Sequence, residues 1–232
     1  MEIKIIYQDK NFVALNKPSG LLVHKAPYIK TNELTLVDWL LENFPQVNKV
    51  GDDKEFRPGI VHRLDKETSG IMIAPLNQEY FDYLKSLFQR REIKKTYLAW
   101  VSGGFQEKKG TVSASIGIKK GTTKRTVHSS KMSKEAVTDY EVIKEVEKEG
   151  VKFSLVKVFP KTGRTHQIRV HLNYINHPVL GDKLYGGKKN SLLAPRLMLH
   201  ALSLEFYDNN GTKLIFKSDP DRSFLEGLDF VA

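Results

Sequence analysis

The sequence contains no cysteine. That excludes disulfides, thiolate metal sites and cysteine nucleophiles, and it is compatible with a cytoplasmic location, the one expected here. No apolar run approaches the ~20 residues that a membrane-spanning helix needs. The first nine residues mix charges with strand-like alternation and hold no apolar signal core, so neither a targeting segment nor a membrane partner is expected. A Walker loop and a dinucleotide fingerprint are both lacking. His62, His166, His171 and His177 do not form a metal pattern. His166 and His171 are five apart rather than the four that places two ligands on one helical face, and no carboxylate motif joins them. Neither metal nor cofactor is expected. Ser69 has no nucleophile-elbow context, which argues against a serine hydrolase.

Acidic residues are missing from one long stretch. Between Lys108 and Lys134 there is no Asp or Glu, while Lys108, Lys109, Lys119, Lys120, Lys124, Arg125, Lys131 and Lys134 accumulate among Gly, Ser and Thr. The whole chain carries a formal net charge of +10. Cationic surfaces gain affinity for polyanions by releasing counterions from phosphates, so a nucleic-acid partner is the first reading and residues 108–134 are read as an arm that contacts it. The plainer reading of that arm is a solvated loop with short strands. It holds no Phe, Trp or Tyr, so any base stacking must come from elsewhere.

What is present reads as many strands and about three helices in irregular order. Residues 3–7 and 12–16 read as strands around a turn, broken at Lys17-Pro18-Ser19-Gly20 and resumed at Leu21-Leu22-Val23. Thr35 caps a predicted helix that ends before Pro45, and residues 46–56 read as a polar loop. Asn77 caps a second helix, whose Tyr80, Phe81, Leu84, Leu87 and Phe88 make a wide apolar stripe. Further strands are predicted at 96–101, 137–144 and 151–159, the last two joined by an acidic connector at 145–149. Thr165 is the predicted N-cap of a third helix, with Ile168, Leu172 and Ile175 on its buried face and His166, Arg169 and Asn173 on another. Asp208-Asn209-Asn210-Gly211 signals a hairpin near the end. The order argues for an α+β fold with a mixed, mostly antiparallel sheet, and against a doubly wound parallel one. No linker or repeat divides the chain, so residues 1–232 read as a single domain.

The chemistry gathers at His62-Arg63-Leu64-Asp65-Lys66-Glu67-Thr68-Ser69-Gly70, a charged turn between two runs that call for burial. Taken alone, Asp65 is an ordinary turn aspartate. Taken with a tyrosine on a nearby strand and several arginines, it could act as nucleophile or base without a cofactor, on a nucleotide flipped from its stack.

Three ordered segments sharpen this. His62–Asp65 with Thr68–Gly70, then Lys95-Thr96-Tyr97-Leu98-Ala99, then Gly163-Arg164-Thr165-His166-Gln167-Ile168-Arg169-Val170-His171 closely resemble the motifs of RluA-type RNA pseudouridine synthases. The Ile6–His24 run, Gly181–Gly187 and Ala194–Ala201 also look like family segments, so the resemblance covers about residues 5 to 217. It implies a catalytic domain on a mostly antiparallel sheet flanked by helices, with a central cleft, that isomerises uridine to pseudouridine. It implies Asp65 as the catalytic carboxylate, attacking base or ribose or removing a ribose proton. Tyr97 matches the tyrosine that packs on the target base, and Arg169 the basic residue that pairs with the aspartate. Ile168 matches an apolar pocket residue. Arg63 is the candidate for the space the flipped uridine leaves, and Leu64, Arg164, His166 and Gln167 are candidate RNA or pocket contacts. The small N-terminal RNA-binding module of many relatives is not expected here, and RNA binding is expected to fall to the catalytic domain. A large-subunit rRNA or tRNA stem-loop is the expected substrate, and a monomer the expected state.

Overall fold

The computed structural model describes residues 2–25 and 32–225. In chain order the strands are β1 Lys4–Gln8, β2 Phe12–Lys17, β3 Ser69–Pro75, β4 Lys94–Ser102, β5 Lys109–Ser113, β6 Gly117–Ile118, β7 Arg125–Thr126, β8 Val137–Lys148, β9 Val151–Pro160, β10 Leu199–Tyr207 and β11 Lys213–Lys217. The helices are α1 Leu36–Asn43, α2 Gln78–Arg90, α3 Gln167–Tyr174, α4 Gly187–Ser191 and α5 Arg222–Leu225, with a 3-10 turn at Pro45–Lys49. The class is α+β with a mostly antiparallel sheet, as the element order predicts. The chain forms two compact units, one from the described residues through Lys94 with Ala201–Asp219, the other from Lys95–His200 with the described residues from Pro220 on.

In the first unit the strand order is β1-β2-β3-β10, with β11 pairing antiparallel to β10. All seven residues of β3 are buried, as a central strand requires. Phe12 is the centre of its aromatic core, stacked on Tyr80 of α2 at 5.1 Å and edge-on to Phe216 at 5.5 Å. The two predicted caps are formed. Thr35 accepts from the Asp38 N–H while the Asp38 carboxylate accepts from the Thr35 N–H, a reciprocal capping box. Asn77 accepts from the Tyr80 N–H at 2.8 Å. Leu21–Val23 does not resume as a strand; it makes an isolated parallel bridge, Leu22 to Thr35.

The second unit has the order β4-β9-β8-β5, all antiparallel, and a separate ribbon of β6 and β7. The predicted acidic connector 145–149 is instead mostly strand, since β8 runs on to Lys148 and the turn is Glu149-Gly150. Backbone pairing with β9 needs no apolar side chain there, so the charged residues stand in solvent while the ladder continues. α3 begins later than predicted. Thr165 is exposed and makes no cap; His166 fills the N-cap position at φ 57°, a left-handed conformation that L residues seldom adopt.

Candidate active site

In the first unit the Asp65 turn is fixed through its backbone. Lys17 is fully buried, and its ammonium donates to the carbonyls of Pro18 at 2.8 Å, Leu21 at 2.8 Å and Lys66 at 3.0 Å. The Ser19 hydroxyl donates to the Glu67 carbonyl at 2.6 Å, and the Gly20 N–H to the Lys66 carbonyl at 2.9 Å. The Thr68 N–H closes the turn on the Asp65 carbonyl at 3.1 Å. The residues flanking Asp65 are therefore tied to the Lys17–Leu21 segment, while Asp65 itself stays half-buried. Gly70 explains the end of the motif. Its φ is +117°, and an added Cβ would lie 2.2 Å from the Ala201 carbonyl oxygen, so only glycine lets β3 meet β10 there.

The side chains around Asp65 divide sharply in exposure. Leu64 is 5% exposed and belongs to the core. His62 accepts from the Ile73 N–H through Nε2 at 3.0 Å and stacks on Phe88, which puts the ring proton on Nδ1. Arg63 is exposed, with Nη1 3.4 Å from Nε2 of His24. Burial lowers the pKa of His24, and the charges of Arg63 and Arg57 lower it further, so the ring stays neutral beside the guanidinium.

In the second unit Tyr97 sits half-buried on β4, opposite Val158 of β9. α3 carries the third motif. Ile168 is buried, and so is Arg169, at 5% exposed, which the helical spacing places on the polar face. The reason is Asp182, which comes from later in the chain and reaches Arg169 in a two-pronged pair, Nε to Oδ2 at 2.8 Å and Nη2 to Oδ1 at 2.9 Å. Burial alone would push the Asp182 carboxyl up. The Arg169 hydrogen bonds and charge, with the N–H groups of Tyr185 and Leu184, outweigh it and hold the pKa below the usual value. Arg169 also lies over the Tyr185 ring, 5.2 Å from its centroid. Gly181 permits this corner: a Cβ there would stand 1.9 Å from the Arg196 carbonyl oxygen.

Gln167 needs a correction as a candidate RNA contact. Its Oε1 accepts from the Thr162 hydroxyl and the Arg164 N–H, and its Nε2 donates to the Val137 carbonyl and Thr138 Oγ1. All four positions of the amide are taken and the residue is 4% exposed, so it anchors the start of α3 to β8. Arg164 is half-buried, with Nε donating to the Glu135 carbonyl. His166 lies 2.8 Å from the Tyr185 hydroxyl through Nδ1. Sequence reasoning does not single out Lys17, Asp182 or Tyr185. The signals that could find them are a lysine closing a strand that opens with four apolar residues and the Gly-Asp-x-x-Tyr-Gly order at 181–186. Among the described residues no group of three or more His, Asp and Glu side chains is placed to hold a metal ion.

The comparisons with known proteins agree with one another. The family model described as RNA pseudouridylate synthase matches residues 11–174. A Borreliella burgdorferi protein named ribosomal large subunit pseudouridine synthase D is 38% identical over 221 residues, covering 95% of this chain and 66% of that protein. A Haemophilus ducreyi protein named tRNA pseudouridine synthase C is 34% identical over 219 residues, covering 89% of this chain and 86% of that one. The solved structure of Human RNA Pseudouridylate Synthase Domain Containing 1 is similar at a TM-score of 0.78 and 30% identity, over 98% of this chain and 86% of that one. The chain thus spans just under two thirds of the length of the first of these relatives.

Proposed function

The chain belongs to the RNA pseudouridylate synthase family, and we propose that it isomerises specific uridines to pseudouridine in structured RNA, from the large ribosomal subunit or tRNA. In that reaction the bond from ribose C1′ to N1 of uracil breaks, the base turns, and C1′ bonds to C5. The proton lost from C5 is balanced by one gained at N1, so no oxidant, reductant or cofactor is consumed. Asp65 is the catalytic carboxylate. Tyr97 packs on the target base, Arg169 is the cationic side chain that serves the reaction, and Ile168 lines the pocket. Arg63 takes the space of the flipped nucleotide, which must be filled once the base leaves its stack.

The observation that carries this reading is the construction of the Asp65 turn. A buried ammonium and two further hydrogen bonds hold the backbone on its C-terminal side, yet Asp65 as a residue is only half-buried. A purely structural aspartate needs no such support, whereas a reacting group must be held to a fraction of an ångström. Arg63 is exposed beside it, where an inserted side chain has to start.

Two measurements test the proposal. Pseudouridines mapped in total RNA from cells with and without this protein should differ at one or a few sites. Asp65→Asn, nearly isosteric, should abolish formation of those pseudouridines while RNA affinity stays within about threefold of the unaltered chain. Turnover by that variant above roughly one hundredth of the unaltered rate contradicts a catalytic role for Asp65.

A further inference from the structure

The basic β6–β7 ribbon is seated on the helix that carries Arg169. Ile116 and Ala136, on either side of the ribbon, form a buried apolar cluster with Val170 of α3, and Val127 and Tyr185 pack against it. Hydrogen bonds run the same way. The Arg125 N–H, in β7, donates to the Tyr185 hydroxyl at 3.1 Å, and Lys124 Nζ lies 3.4 Å from the Leu184 carbonyl. That same hydroxyl meets Nδ1 of His166 at 2.8 Å, at the left-handed residue that opens α3. The Tyr185 ring lies under the Arg169 guanidinium, and its N–H donates to the carboxylate that grips Arg169.

Tyr185 thus touches four groups through three parts of itself: the ribbon and His166 through its oxygen, Arg169 through its ring, and Asp182 through its backbone. Neither a packing role nor a phosphate-binding role calls for that combination. A phenol used only for packing would not need its oxygen spent on the ribbon. We propose that Tyr185 is a positioning residue that ties the basic β6–β7 ribbon to Arg169, so that RNA phosphates held by the ribbon fix where the guanidinium stands. The ribbon supplies charge for this on exposed Lys119, Lys120 and Lys124. Asp182 supplies the fixed geometry, because a two-pronged carboxylate–guanidinium pair sets both distance and plane. The inference rests on the proposed function, in which Arg169 serves the isomerisation.

The test is Tyr185→Phe, which keeps the ring under Arg169 and in the apolar cluster and removes only the oxygen. The substrate is an unmodified transcript carrying the uridine found by the mapping experiment. The single-turnover rate at saturating enzyme should fall about tenfold, as expected for the loss of the hydroxyl's hydrogen bonds to the Arg125 N–H and to His166 Nδ1, with the dissociation constant within about twofold. A ribbon variant, Lys119→Ala with Lys120→Ala and Lys124→Ala, should lower both affinity and rate in the unaltered chain, but affinity alone in the Tyr185→Phe background. An unchanged rate for Tyr185→Phe, or rate losses that simply multiply in the combined variant, overturns the inference. A merely structural tyrosine gives the second pattern, since instability lowers the active fraction equally in both backgrounds. If Tyr185→Phe does not fold, hydrogen exchange in the unaltered chain decides. Binding the pseudouridine-containing transcript should slow exchange in residues 117–127 and in 163–172 together, and protection confined to 117–127 overturns the inference. Failure of the proposed function is a separate result: the unaltered chain then forms no pseudouridine in any transcript, and the inference falls with it.

Discussion

Lys17 spends its ammonium on main-chain carbonyls, and one of them belongs to the residue after Asp65. A lysine has three N–H donors and no acceptor, so three carbonyls saturate it. Replacing it with methionine keeps the length and apolar stem but leaves the Leu21 carbonyl buried without that donor, while the part-buried Lys66 carbonyl keeps the Gly20 N–H. A buried acceptor left unpaired costs about 1–3 kcal/mol, so Lys17→Met should destabilise the chain by about that amount in urea unfolding. Turnover should fall further than the folded fraction does, because the Asp65 turn loosens before the core melts. Equal losses of turnover and folded protein would make Lys17 a core residue only. In the sequence this position reads merely as the start of a break. A charged residue reads as exposed until the carbonyls that surround it are known, and one of these, from Lys66, lies 49 residues away in the chain. Arg169 misleads for the same reason. Its helical spacing is polar, but Asp182 takes it inside. Gln167 is a motif residue whose role lies in hydrogen bonds to β8, which no local pattern reveals. Asp65, Arg63 and Tyr97, by contrast, are candidates by motif order, and all three keep some exposure.

Elements with strong local signals match their predictions closely. α2 has its cap and its apolar stripe, and the β10–β11 hairpin has its Asp-Asn-Asn-Gly turn. α3 is harder to read, because its start is set by the Gln167 side chain and by strained His166 rather than by a hydroxyl cap. The same helix holds His171, which is fully buried, with Nδ1 2.9 Å from Thr138 Oγ1 and Nε2 2.9 Å from the Ala114 carbonyl. Burial lowers its pKa. The unfolded chain, whose histidines titrate near about 6.5, therefore takes up the proton first as pH falls. His171 stabilises the fold fully above that pH and progressively less below it, and His24 acts in the same direction. The lowered aspartates, Asp38, Asp139, Asp182 and Asp221, lose their contribution only once the unfolded carboxyls protonate, near pH ~4. Unfolding free energy should therefore fall between pH 7.5 and 5.5. The slope should be shallower in His171→Gln, measured in urea at each pH. An identical slope in the variant would assign the effect elsewhere.

At the scale of the whole molecule, the net charge of +10 predicts salt-sensitive RNA binding. Lys119, Lys120 and Lys124 are exposed, and Arg125 is half-buried. Changing all four to glutamine should weaken RNA binding. It should also flatten the plot of log affinity against log salt by roughly 0.7–0.9 for each phosphate no longer neutralised, up to about 3 in all. An unchanged slope would show that the arm faces away from the RNA. The first unit also has a history written into its strand order. β3 takes its place beside β10, yet residues 76–198 are made between them. At roughly 5–20 residues per second, a growing chain holds β3 for on the order of ten seconds before its neighbour exists. For that interval an apolar strand has an open edge, which is the state that recruits wrong partners. Ribosome-stalled chains ending near residue 150 should be cut by protease within β3, and chains that include β11 should resist. The risk in making this protein therefore lies in timing: its most apolar strand is synthesised early and covered late.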